Sequence, residues 1–357
     1  MNNYFEVIGV SSEGPAMEEV RINEGIHTKA INMTRSITPV KDLGATWKLY
    51  RYLRQEKPFI VHTHTPKAGT IGMLAARLAG VPHRWHTVAG LPLLEVSGLK
   101  RILLDMVEKF TYANATKVLP NSKGLETIIL ENGYTGIEKI QLIGHGSSNG
   151  INTEYFNSRQ VSSQVKETLI TSLGLPPDAY VFVFVGRLVK DKGINELVEA
   201  FAQVSKAHDR CALLLVGPRE DELDPLDDET NRIIKSNDKI FEVGSQKDIR
   251  PFVAISDVLV HPSYREGFPN VVLQASAMGL ACIVSDINGC NEIITHGVNG
   301  LIIKPKDVAS LKNAIEHAMA DPDGMREMAR NGPALIGKKY SQEYIWNELL
   351  KAYQQLR

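Results

Sequence analysis

The 357-residue chain carries 43% hydrophobic and 23% charged residues and a formal net charge of −1. That composition supports a full core and argues against a nucleic-acid binder held by phosphate contacts, while the length predicts two domains rather than one. The three cysteines, Cys211, Cys282 and Cys290, lack CxxC spacing and support neither a zinc knuckle nor a disulfide framework.

In chain order, residues 4–11 read as a strand and 22–31 as a weaker segment leading into the loop 33–39. Over 41–56, Leu43, Trp47, Tyr50 and Leu53 recur at helical spacing, and Pro58 ends the helix. Residues 59–64 form a buried strand, followed by a Gly/Ala-rich helix to Leu78 and a strand at 84–88 that ends at Ala89-Gly90. The helix 100–112 is amphipathic, with Ile102, Leu103, Met106, Val107 and Phe110 on one face. We read that face, with residues 90–94, as packed inward; exposed, it would suit a peripheral membrane contact. Short strands are expected at 117–120 and 140–143.

Residues 144–152 are rich in Gly, Ser and Asn, and 157–163 are polar, so the interdomain linker falls there. The expected division is a first domain over 1–155, a second over 156–340 and a C-terminal helix over 341–357 that packs back on the first. In the second half, strands at 181–185, 212–216, 240–244, 281–285 and 301–304 alternate with helices at 195–208, 308–320 and 342–356. Alternation of this kind implies parallel sheets.

Two loops in this half carry the chemistry. Gly186-Arg187-Leu188-Val189-Lys190-Asp191-Lys192-Gly193 joins a strand to a helix, and Arg187 and Lys192 suit a diphosphate. Taken alone, the loop reads equally as two solvated cations. The stretch 257–275 reads as strand, turn and helix, placing Glu266 and free helix N–H groups at the carboxyl end of a strand. Helix N–H groups suit a phosphate, and a carboxylate beside it suits uncharged hydroxyls. A sugar joined to a diphosphate meets both demands. The acidic run Asp224, Asp227, Asp228, Glu229 is read as a solvated loop rather than a metal motif.

Together these residues resemble the retaining glycosyltransferases of the glycogen-synthase and mannosyltransferase-like family, whose pattern is Gly-Arg-x4-Lys-Gly, Pro-Ser-x2-Glu-Gly-Phe and a second Glu eight residues after the first. Here stand Gly186, Arg187, Lys192 and Gly193, then Pro262, Ser263, Glu266, Gly267 and Phe268. The segment from Asn149 to Phe156 matches the family's linker as well. The resemblance implies an α/β GT-B fold, two Rossmann-like doubly wound domains facing a cleft. It implies that Glu266 holds sugar hydroxyls and that Arg187 and Lys192 hold the diphosphate and act in catalysis. Gly186, Gly267, Phe268, Asn270 and Val271 would line the donor, and Gly244 and Ser245 would lie near its base.

The family's second Glu, which grips the ribose, is Gln274 here, so ribose binding is expected to be weaker. The first half reads Thr87-Val88-Ala89-Gly90 where many relatives have a His. A bacterial subgroup that builds on polyprenyl-diphosphate sugars also lacks that His, and this chain looks like that subgroup. Arg35, His64 and Gly90 are the acceptor-side candidates; a surface Arg and a packed strand-end His are the plain alternatives. The resemblance also implies that the first strand and its Gly-rich turn, roughly twenty residues, are missing before residue 1.

The expected reaction moves a hexose or N-acetylhexosamine from a nucleotide-sugar, UDP-linked, to a glycan or lipid-linked acceptor. It needs no metal and no cofactor. The expected site is cytoplasmic, with peripheral contact at the inner face of the membrane. The rival readings are a degenerate or truncated protein of this fold that binds nucleotide without efficient turnover, and an epimerase, which lacks this pairing of motifs.

Overall fold

The structure, a computed structural model, describes residues 1–34, 38–176 and 178–356, the side chain of Pro92 excepted. It forms two compact units, Met1–Ser148 with Trp346–Arg357, and Asn149–Ile345. The first division thus falls at Ser148, inside the Gly/Ser-rich stretch, rather than at 155.

In the first unit the elements run β1 (Ile8–Ser11), α1 (Pro15–Glu24), β2 (His27–Ala30), α2 (Pro39–Glu56), β3 (Ile60–Thr63), α3 (Pro66–Ala79), β4 (His83–Val88), α4 (Gly98–Asn114), β5 (Lys117–Pro120) and α5 (Lys123–Glu131). All strand pairs are parallel: β1 with β2, and separately β3 with β4 and β4 with β5. The expected strand at 140–143 reduces to a single bridge between Val118 and Ile140.

Helical spacing holds in both α2 and α4, but α4 turns its apolar stripe outward, against expectation. In α2 the buried residues are Ala45, Thr46, Leu49 and Leu53, while Leu43 and Trp47 are exposed. In α4 the buried residues are Glu108, Thr111, Tyr112 and Asn114, and Ile102, Leu103, Met106 and Phe110 are exposed. The reason lies in the helix beside it. Thr70 and Arg77 of α3 hydrogen-bond Thr111 and Asn114 beside the buried Met73 and Tyr112, so this face of α4 meets α3 and the apolar stripe is left outside.

The second unit continues with α6 (Ser163–Leu173), β6 (Tyr180–Val185), α7 (Ile194–Ser205), β7 (Cys211–Val216), α8 (Asp228–Ser236), β8 (Ile240–Gly244), α9 (Arg250–Ala254), β9 (Val258–His261), α10 (Asn270–Ala277), β10 (Ala281–Ser285), α11 (Cys290–Ile293), β11 (Gly300–Ile303), α12 (Val308–Ala320) and α13 (Pro322–Tyr340). The last helix, α14 (Gln342–Gln354), carries the chain back into the first unit, where Tyr353 packs on Trp85. Helix α13 escapes a reading by sequence because Asn331-Gly332-Pro333 looks like a turn. It forms because Gly332 lets it approach α10, where an added Cβ would meet the Ser276 carbonyl at 2.5 Å.

The six strands of this unit lie in the order β11-β10-β9-β6-β7-β8, all parallel. Alternation along β6 sends Phe182 and Phe184 to a core under α7 and α12. Val181, Val183 and Val185 go to a second core with α10 and α13. Each such buried side chain contributes about 1.5–3 kcal/mol. The order reverses between β6 and β9, and at such a switch point the loops after the two strands diverge and leave a crevice.

Candidate functional site

The loops that follow β6 and β9 are the two that carry the sequence motifs. Their meeting is built from backbone. Gly193, at φ 71°, begins α7 against the loop after β9, and a Cβ there would lie 2.1 Å from the Pro262 carbonyl oxygen. Asp191 stitches the loops further: its carbonyl accepts from the Tyr264 N–H at 2.9 Å, and its carboxylate accepts from Arg265 at 2.7 Å. Asp224 in turn accepts from the Asp191 N–H at 2.8 Å, and Asp227 accepts from Asn195 at 2.9 Å. Part of the acidic run is therefore a brace for the first loop rather than a freely solvated surface.

This packing brings Lys192 and Glu266 together. The Lys192 ammonium donates to Glu266 Oε1 at 2.5 Å, and His261 Nε2 lies 2.9 Å from the same oxygen. Glu266 and Lys192 are 14% and 16% exposed, so the pair is shielded from solvent. Burial works against the carboxylate charge. The His261 hydrogen bond and the Lys192 ammonium outweigh it and hold the carboxyl at about 2. Asn288 donates to the Glu266 carbonyl, and Gly289 packs against Gly267. Arg187 donates to Glu220 at 2.5 Å and remains 42% exposed.

Phe268 is buried against Tyr340 and closes the loop onto the second core. Asn270 opens α10, whose first N–H groups, those of Asn270 and Val271, have no backbone acceptor among the described residues. Gln274 follows one turn later on the same side as Asn270, half-buried. Gly186 closes β6 with a hydrogen bond to Val216, and the Gly217 N–H donates to Gly244 at 2.9 Å. Gly244 is thus two strands from Gly186, about 10 Å. Ser245 lines a shallow cavity of about 640 Å³ with residues of α6 and α9.

Of the first-unit candidates, Arg35 lies outside the described residues. His64 follows β3 directly, exposed, with its ring against His62 at 4.2 Å. His62 is a packing residue, bonded to the Tyr353 hydroxyl at 2.5 Å and to the Thr87 hydroxyl at 2.7 Å. Both line a cavity of about 510 Å³ that has β1 on one side and β3 on the other. Gly90 follows β4, half-buried. His261 was not singled out by the sequence reading. Its signal was a lone polar residue at the end of an apolar strand, five residues before Glu266.

Comparison with known proteins adds to this geometry. Residues 165–334 match the family described as Glycosyl transferases group 1, and residues 5–146 match the Glycosyl transferase 4-like domain. The chain is 32% identical to the capsular polysaccharide biosynthesis glycosyltransferase CapM of Staphylococcus aureus, over 96% of this chain and 88% of that protein. It is 32% identical to the UDP-Gal:alpha-D-GlcNAc-diphosphoundecaprenol alpha-1,3-galactosyltransferase of Escherichia coli, over 81% and 73%. A crystal structure of Anabaena Alr3699/HepE in complex with UDP superposes with a TM-score of 0.81 at 19% identity, covering 98% of this chain and 92% of the other. This likeness shows a shared fold, the expected α/β GT-B architecture.

Proposed function

The chain belongs to the group 1 glycosyltransferases, and from that premise we propose that it transfers a hexose or N-acetylhexosamine from a UDP-linked donor, with retention at the anomeric carbon. The acceptor is a glycan or a polyprenyl-diphosphate-linked sugar in surface polysaccharide synthesis. The observation that carries this reading is the convergence of Lys192 and Glu266, with Arg187 on the same loop as Lys192, at the switch point of the second sheet. Two cations beside a buried carboxylate suit a diphosphate joined to a neutral polyol. The names of the CapM and galactosyltransferase relatives support the substrate class.

Arg187 and Lys192 stabilise the charge that develops on the departing diphosphate, and the reading calls for no metal and no cofactor. Glu266 has one oxygen committed to Lys192 and His261, which makes it a poor nucleophile and a good hydroxyl acceptor. The leaving phosphate then takes the acceptor's proton on the face it leaves, which gives retention without a covalent intermediate on the protein. Asn270, Val271 and Gln274 face the nucleotide, with Gly244 and Ser245 nearest its base. His64 and Gly90 are assigned to the acceptor side. The exposed stripe Ile102, Leu103, Met106 and Phe110, with Lys100 and Lys109 on the same helix, supports peripheral contact with a membrane that carries the acceptor. Among the described residues no helix is long and apolar enough to cross one.

The test is release of nucleoside diphosphate from a panel of UDP- and GDP-sugars, with and without a polyprenyl-diphosphate-sugar acceptor. Acceptor-dependent UDP release supports the reading. Nucleotide binding with no release from any donor supports instead a protein of this fold that binds without turnover.

A further inference from the structure

We propose that His261 is a positioning residue that fixes Glu266 for the sugar-transfer step, an inference that rests on the reading of Glu266 as the sugar-hydroxyl acceptor. Strand β9 is buried along its whole length, and Val258, Leu259 and Val260 are what such a strand calls for. His261 ends it at 2% exposure. Its ring lies parallel to Phe184, 7° between planes and 6.1 Å between centroids. A leucine would fill this place without taking a polar ring out of water.

The cost is larger than usual because Nδ1 is buried with no hydrogen-bond partner among the described residues. Because an ionised carboxylate only accepts, the N–H in this contact is that of Nε2, which donates to Glu266 Oε1 at 2.9 Å. Packing alone does not require that bond. Its effect is to hold one carboxylate oxygen from behind, so that Oε2 is the oxygen left to meet a substrate.

Lys192 grips the same oxygen from the other loop, yet its ammonium has a second claimant. A donor diphosphate competes with Glu266 for Lys192. His261, buried behind the carboxylate on β9, has no such competitor. It remains as the anchor that keeps the Glu266 carboxylate in one orientation while Lys192 turns to the phosphate. Loss of that anchor costs orientation at the reacting carbon, where small misplacements are expensive in rate.

The experiment compares wild type with His261→Phe, His261→Gln and Glu266→Ala. It measures UDP affinity by calorimetry, and kcat and KM with whichever of UDP-glucose, UDP-galactose, UDP-N-acetylglucosamine and UDP-N-acetylgalactosamine wild type turns over fastest. His261→Phe keeps the ring packing and removes the donor. It should lower kcat at least ten-fold while UDP affinity stays within two-fold. His261→Gln restores an N–H toward Oε1 and should recover most of the lost rate, which a purely structural role would not produce. Full kcat in His261→Phe, with turnover lost in Glu266→Ala, overturns this proposal alone. Failure of His261→Gln to recover any rate, with an unfolding temperature equal to that of wild type, also overturns it. Full turnover in Glu266→Ala overturns the reading of Glu266 on which it rests.

Discussion

Gly193 and Pro262 meet backbone to backbone: the loop after β6 lies so close to the loop after β9 that a Cβ on Gly193 would stand 2.1 Å from the Pro262 carbonyl oxygen. Lys192 and Glu266 are held in register by this contact, because each lies within a few residues of it. Gly193→Ala must both enter the left-handed region, at about 1–2 kcal/mol, and push the loops apart. The expected outcome is a lower unfolding temperature for the second unit and a loss of UDP affinity well beyond that of a surface substitution. Calorimetric UDP affinity equal to wild type would show that the loops do not depend on this approach.

The division of labour between the charged residues can be read separately. Glu266→Ala should abolish transfer while UDP affinity stays within a few-fold, because Glu266 is assigned to sugar and not to nucleotide. Arg187→Ala and Lys192→Ala should each weaken UDP binding by about 1.5–3 kcal/mol, the worth of a charge-assisted contact. If either variant binds UDP as tightly as wild type, the diphosphate lies elsewhere.

Gln274 tests the ribose assignment. Gln274→Glu places an ionised acceptor on the same side of α10 as Asn270, and hydrogen bonds to a charged acceptor are stronger. UDP affinity should rise modestly, since the new charge also repels the diphosphate. No change by calorimetry would mean that position 274 does not reach the ribose.

What the sequence makes legible follows from where the signal is local. Arg187, Lys192 and Glu266 stand in short loops after strands of unbroken apolar character, so their place at the carboxyl end of a parallel sheet can be read from the residues themselves. His261 could not be assigned so easily, because its role depends on which of its nitrogens faces Glu266 across a five-residue turn. The face of α4 is hidden from the sequence for another reason. Helical spacing identifies a stripe, as with Ile102, Leu103, Met106 and Phe110, but which face of α4 meets α3 is decided by tertiary pairs such as Thr70 with Thr111. Helix α13 is hidden by Pro333, a residue that usually breaks a helix, although here the helix runs through it with Gly332 set close against α10.

The exposed stripe of α4 carries a prediction of its own. Met106→Asp together with Phe110→Asp should reduce co-sedimentation with anionic vesicles several-fold and leave UDP affinity unchanged. Equal sedimentation would remove α4 from the membrane contact.

Acid should destabilise the two units over different ranges. Burial, with His64 and His86 nearby, holds His62 well below its usual range, and burial, with His64, holds His86 at about 4. Both histidines are favoured uncharged in the folded state. Their contribution is complete above the unfolded value of about 6.5 and is lost as pH falls below it, for His86 toward about 4. The contribution of Glu266 is complete above about 4.3 and is lost only as pH falls from there toward about 2. Tryptophan fluorescence from the first unit, through Trp85, should therefore report unfolding at higher pH than hydrogen exchange in β6 and β9. Simultaneous loss of both signals below pH 4 would assign the acid limb to carboxylates alone.

The most direct test of the account is the anomeric configuration of the transferred sugar. Incubation with an α-linked UDP-hexose and a polyprenyl-diphosphate-linked sugar, followed by proton NMR of the released glycan, reads the new linkage from its anomeric coupling constant. The account predicts an α-linked product in wild type and none in Glu266→Ala. A β-linked product would contradict same-face transfer by the leaving diphosphate, and an α-linked product at full yield from Glu266→Ala would contradict the site itself.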